Sequence, residues 1–282
     1  MHYKHTGSIV LAAYDHVRTK EKFMHTAKIM GTPDDIATSA MKNLAEGTVV
    51  ALVVSGPQAS GKDTIGPAVM SFLGAQEHVR AGVADGIKLE ATTILEKLAY
   101  MPDKASAIIE VAEMLDLKSQ HAEFIVDALW DITRDPLHGL TGWSRTPETR
   151  RALQYLGSEA REEDPERYVR MVVPRILGLL ASGTSVYMGD GRFPKEAGHC
   201  REIGMFLVRL HVEHDIKAAR LLTRDGVIAD PKALQHEGET ALDNWPGVDL
   251  KVDNSHAETS VVVATVGGAL ALHRARLQTW FS

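Results

Sequence analysis

The chain has a single cysteine, Cys200, among its 282 residues. One thiol cannot close an intramolecular disulfide, and a zinc site built from cysteines is excluded with it, so the sequence fits a reducing compartment. Long apolar runs are missing as well. The most apolar stretch, VVVATVGGALAL at 261–272, is shorter than the roughly 20 residues that a membrane-spanning helix needs. No basic-then-apolar signal segment opens the chain, and the expectation is a cytoplasmic protein with no membrane partner. Positive charge is also in deficit, with 31 Lys and Arg against 37 Asp and Glu and a formal net charge of −6. That balance argues against a general nucleic-acid coat protein, which relies on clustered cations, while leaving room for local basic pockets, and no stable nucleic-acid partner is expected.

What remains is an ordinary globular composition, 44% hydrophobic and 24% charged, enough for one large domain with insertions. The segment TPDDIATSAMKNLAEG near the start has a threonine cap, a first-turn proline, early acids and a closing glycine, which predicts a helix. TVVALVVSG (48–56) is β-branched without polar alternation, the pattern of a strand buried on both faces of a parallel sheet. VRAGVAD (79–85), TSVYMGD (184–190), MFLVRLHV (205–212) and VDLKVDN (248–254) are candidate neighbours. Ile65, Val69, Phe72 and Leu73 recur at helical spacing ahead of Gly74, and a mainly helical stretch spans about 89–180. Strands alternating with helices predict a parallel α/β fold, here of about five strands.

The stretch SGPQASGKDT (55–64) lies between the first buried run and that amphipathic helix. Gly56 and Gly61 with Lys62 have the spacing of a phosphate-binding loop, completed by Gln58, Ala59 and Ser60. A strand-loop-helix context aims backbone N–H groups and a helix N-terminus at an anion, and lysine adds a point charge. Asp63 stands where serine or threonine usually follows the lysine. A carboxylate beside a triphosphate requires a cation between them, so Mg²⁺ is expected on Asp63, or on the Thr64 hydroxyl. The alternative for Asp63 is a helix cap.

Two further strand ends carry charge. TSVYMGDGRFPKEAG ends at Asp190, followed by Arg192 and Glu196. Ligands of open α/β sheets bind beyond the carboxyl ends of the strands, so Asp190 suits a second metal contact or an acceptor contact and Arg192 a phosphate contact; the alternative is a structural Asp–Arg pair at a turn. GVADGIK is read as a strand ending at Asp85 with Lys88 just past it, either a site or a solvated loop. In RRALQYLGSEAR, Arg150, Gln154, Gly157 and Arg161 share one helical stripe, and Leu153, Leu156 and Ala160 another about 90° away. Read alone, the charged stripe is as consistent with a solvated face.

GPQASGKDT, ADGIK, RRALQYLGSEAR, GDGRFPKEA and HEGETAL (236–242) occur together in an order that resembles the deoxynucleoside monophosphate kinases encoded by tailed bacteriophages, over about residues 48–272. The resemblance implies an adenylate-kinase-like P-loop NTPase fold with a helical substrate-binding insertion, preceded by an N-terminal helical extension at 1–47. It implies transfer of the γ-phosphoryl group of ATP, with Mg²⁺, to a deoxynucleoside monophosphate in the host cell cytoplasm. By the same resemblance the loop with Lys62 would hold ATP, Asp85 and Lys88 would border the acceptor, and Arg150 or Arg151 would touch phosphate. Gly157 and Ser158 would line the nucleotide pocket, Tyr168 would stack on the base, and Asp190, Arg192 and Glu196 would complete the acceptor side. Ser158 replaces a usual threonine, and His236, Glu237, Gly238 and Glu239 stand for a His-x-Ser-Glu pattern.

A monophosphate is already ionised near neutral pH, so this chemistry needs alignment and charge neutralisation more than a base. The segment at about 213–245, with Arg220, Arg224 and a hinge at Asp225-Gly226, is the lid candidate. The rivals are a P-loop kinase acting on a hydroxymethylated pyrimidine in phage DNA, which would need a base such as Asp85, and a nucleotide-binding ATPase that is not a kinase. A homodimer contact is left open. His211 and His214 in HVEH suggest a metal pair but lack an evident third ligand.

Overall fold

The computed structural model describes residues 32–134, 147–226 and 237–281. Helix α1 (Pro33–Glu46) starts at Thr32, which accepts from the Asp35 N–H while Asp35 reaches back to the Thr32 backbone, and it ends at Gly47 in the left-handed region. The reciprocal cap is what the TPDD segment predicts. The order continues β1 (Ala51–Ser55), α2 (Lys62–Phe72), β2 (His78–Arg80), α3 (Val83–Leu98), α4 (Lys104–Leu115), α5 (Ser119–Arg134) and α6 (Pro147–Glu163). It then runs α7 (Arg167–Ala181), β3 (Ser185–Met188), α8 (Pro194–Glu202), β4 (Phe206–His211), α9 (His214–Asp225), α10 (Glu237–Thr240), β5 (Leu250–Asp253) and α11 (Thr259–Phe281).

The five strands form one sheet in the order β2-β3-β1-β4-β5, and every pairing is parallel. β1 is central and buried along its whole length, which explains its run of apolar residues without alternation. On one face α2 and α11 cover it: Leu52, Val54, Ile65, Val69, Tyr187, Val208, Val262 and Val266 form a continuous core. Each such side chain contributes about 1.5–3 kcal/mol on burial. The apolar stretch at 261–272 therefore belongs to a core helix, and among the described residues no helix is long and apolar enough to cross a membrane. Residues 33–46, placed by the sequence in an N-terminal extension, bury Met41 and Leu44 in α1; Gly204 fits beneath them, its missing Cβ position 3.0 Å from each side chain.

Two compact units are present, residues 1–82 with 170–282, and residues 83–169. The second is helical. Its centre is a buried polar knot: the Glu90 carboxylate accepts from Arg167 Nε at 2.8 Å and from Tyr168 Oη at 2.8 Å. Two sequence expectations are corrected here. The strand at 79–85 stops at Arg80 and Val83 opens α3, so Asp85 lies in a helical first turn. A carboxylate there is favoured by the helix dipole, which the apolar run around it concealed. Phe72, expected on the packed face of α2, is the helix's last residue and 59% exposed.

Candidate functional site

β1 and β4 are neighbours whose following connections leave toward opposite edges of the sheet, one to β2 and one to β5. Their carboxyl ends therefore border the crevice where open α/β sheets bind ligands. The 56–61 loop leaves β1 at that place. Ala59 (φ 60°) and Gly61 (φ 86°) both take the left-handed conformation, and Gly61 caps α2 by accepting from the Thr64 and Ile65 N–H groups. A Cβ at Gly56 would lie 2.3 Å from Ser60 Oγ, so glycine is what lets the loop close on itself.

The loop is braced from below. Asn254 Nδ2 donates to the Ser60 carbonyl at 2.8 Å. Arg220 donates to the Ala59 carbonyl at 3.3 Å and to the Asn254 carbonyl at 2.8 Å. Arg220, expected on a lid, is thus committed to holding the loop. A Tyr187 ring passes under α2 to donate to the Lys62 carbonyl at 2.9 Å. Gly66 makes the passage possible, since a Cβ there would meet the ring at 2.1 Å.

The carboxyl tip of β3 stands beside the loop. Ser55 Oγ donates to the Gly191 carbonyl at 2.7 Å and accepts from buried Arg209 at 3.0 Å. Lys62 and the Asp190–Arg192 segment consequently share one edge of the sheet. Asp190 is half-buried, with its carboxylate against Gly82, where a Cβ would lie 2.4 Å from Oδ2. Asp63 pairs with Arg80 at 2.9 Å, both well exposed, and Thr64 is exposed. Burial raises the Tyr187 hydroxyl above the ordinary tyrosine range, and the carboxylates of Asp63 and Asp190 add to the shift, while Arg80 opposes it.

Lys62 points back over the loop, its ammonium 3.5 Å from the Pro57 carbonyl. Burial lowers its pKa; Asp63 and Glu239 counter this, whereas Arg192 and Arg224 add to it. Arg192, half exposed, pairs with Glu239 at 3.2 Å, and the other oxygen of Glu239 accepts from the Gln58 N–H. Glu239 and Arg80 were both missed as site residues in the sequence. The HEGE motif held the one signal for Glu239, and Arg80 was hidden inside a strand run.

Glu196 is corrected. It is 1% exposed, and its carboxylate accepts from the Arg192 and Phe193 N–H groups, so it fixes the turn into α8 instead of facing a ligand. Tyr168 is corrected too: it is 1% exposed, with its hydroxyl on Glu90 and on the Leu156 carbonyl, and offers no ring face for stacking. Both belong to polar cores, which charge and aromatic type alone do not distinguish from sites. In the helical unit Lys88 and Ser158 are exposed and Asp85 half-buried. Gly157, expected on a cationic stripe, is buried, its Cβ position 3.1 Å from Ile87 Cδ1. The backbones of Arg150 and Arg151 lie in α6; their side chains and the 227–236 stretch of the lid candidate, His236 included, lie outside the described residues. Among the described residues no three His, Cys, Asp or Glu side chains gather into a metal-binding cluster.

No protein-family model matches the chain, and no curated protein matches it.

Proposed function

We propose that this chain is an ATP-dependent deoxynucleoside monophosphate kinase of the bacteriophage type it resembles, built on an adenylate-kinase-like P-loop fold. The observation that carries this is the loop itself: two left-handed residues and a lysine-headed helix follow a central buried strand. The Ser55 to Gly191 hydrogen bond ties this loop to the Asp190–Arg192 segment. Such a loop presents backbone N–H groups and a helix N-terminus to an anion.

In this account Gly56 to Thr64 cradle the phosphates of ATP, and Lys62 holds the γ-phosphate. Arg192 draws the acceptor phosphate against the charge repulsion of the donor, since aligning two anions is the main task. No general base is required of the protein. Asp63 and Asp190, with the Thr64 hydroxyl, would hold Mg²⁺, which is bound by one or two carboxylates together with substrate phosphates. Two contacts support this donor set: Arg80 Nη2 pairs with Asp63 at 2.9 Å and lies 3.6 Å from the Cβ position of Gly189, the residue before Asp190, and an exposed pair of this kind costs little to exchange. The ion would supply neutralisation of charge on the β- and γ-phosphate oxygens.

Purified protein incubated with ATP, Mg²⁺ and each common deoxynucleoside monophosphate in turn tests this by chromatography. A deoxynucleoside diphosphate from at least one acceptor is the expected product. Free phosphate alone would indicate an ATPase, and product only when DNA is added would indicate the DNA-directed rival.

A further inference from the structure

Glu239 has no role in the phosphoryl transfer outlined above, yet its carboxylate hydrogen-bonds the loop. It is 9% exposed. One carboxylate oxygen accepts from the Gln58 N–H inside the loop, and the other accepts from Arg192 Nη1 at 3.2 Å. It also counts among the charges acting on the Lys62 ammonium. A loop amide and a guanidinium donating to one anion, with an ammonium in their field, are the kind of donors a phosphate group requires, and a carboxylate satisfies the same donors.

The turn carrying Glu239 is anchored. Buried Arg209 donates to the Glu239 carbonyl and to Asp243 Oδ1 at 2.7 Å, so the carboxylate is delivered from a fixed backbone. The loop nevertheless has polar capacity to spare. Ser60 Oγ is fully buried and has no hydrogen-bond partner, a costly condition that an additional oxyanion acceptor would relieve.

We infer that Glu239 is a built-in phosphate surrogate: in the nucleotide-free protein its carboxylate occupies a phosphate-oxygen position on the Gln58 amide and Arg192, and nucleotide must evict it to bind. This rests on the loop being a phosphate site, as proposed above. A polyphosphate carries more negative charge than one carboxylate and wins the exchange, but at a cost. The apparent affinity falls by the fraction of molecules in which the position is free. The device also pairs Arg192 with an anion while no substrate is present.

The test is calorimetric titration of the whole chain, wild type, Glu239→Gln and Glu239→Ala, with Mg·ATP and separately with inorganic tripolyphosphate. Both variants are expected to bind both probes about threefold to tenfold more tightly than wild type, the gain expected when a self-occupied state is removed. Unchanged or weaker binding overturns the inference, because a residue that merely positions the loop loses affinity when it is removed. If neither probe binds any form, the inference and the kinase proposal fall together. If tripolyphosphate binds more tightly to the variants but no acceptor is phosphorylated, the surrogate stands and the kinase proposal falls. A crystal structure of the wild type with a non-hydrolysable ATP analogue decides independently of variant folding. Gln58 N–H is expected on a phosphate oxygen with Glu239 displaced, and Glu239 still on that amide beside bound nucleotide overturns the inference.

Discussion

Replacing Tyr168 with phenylalanine distinguishes a load carried inside the helical unit from a contact to substrate. The ring volume is kept and one hydroxyl is lost, with its bonds to Glu90 Oε2 at 2.8 Å and to the Leu156 carbonyl at 3.1 Å. Leu156 lies within α6, where its carbonyl already serves the helix, so the carboxylate bond dominates. A hydrogen bond to a charged group contributes about 1.5–3 kcal/mol. Glu90 keeps its Arg167 contacts, and the expected loss is therefore about 2 kcal/mol. Urea unfolding of wild type and Tyr168→Phe at neutral pH measures it. Burial first and the Glu90 charge second raise the Tyr168 pKa far above its ordinary 10.0. The folded protein thus keeps the proton where the unfolded chain loses it, so this contribution is intact below pH 10.0 and declines as pH rises beyond. The stability gap between the two proteins should narrow in that range. A loss below about 0.5 kcal/mol combined with a raised KM for the monophosphate would refute the structural assignment.

Lys62→Met should bind Mg·ATP at least about a hundredfold more weakly, yet be more stable than wild type at neutral pH, measured by thermal melting. Burial disfavours the ammonium and lowers its pKa from 10.5; between the lowered value and 10.5 the unfolded chain binds more protons, so wild-type stability rises with pH and the advantage of the variant shrinks toward 10.5. Gly66→Ala should cost about 3 kcal/mol in urea unfolding because the Tyr187 ring cannot move aside. Pairing it with Tyr187→Leu should recover part of that loss, and strict additivity of the two would contradict the contact.

The sheet was legible wherever burial is complete on both faces. β1 reads as a continuous apolar run, and β3 and β4 as mostly apolar ones around Ser185 and Arg209, because parallel central strands have no solvent side to encode, and α1 announced both its ends through Thr32 and Gly47. The loop was legible because its glycines answer to local backbone geometry. What escaped depends on partners far apart in the chain: Glu90 and Tyr168 are 78 residues apart, Gln58 and Glu239 are 181 apart, and no local period records such pairings. Asp85 was misplaced for a different reason. A short edge strand and a helix start are separated only by Ala81 and Gly82, and the side-chain pattern does not mark where the backbone changes course.

The central claim is that the loop at 56–64 holds donor phosphates on the sheet edge it shares with Asp190 and Arg192. A crystal structure with a bisubstrate analogue, adenosine and a deoxynucleoside joined through a phosphate chain, tests it most directly. The account predicts the phosphate chain on the Gln58–Thr64 amides and the Lys62 ammonium, running toward Arg192. An analogue bound elsewhere, with those amides and Lys62 untouched, would contradict it.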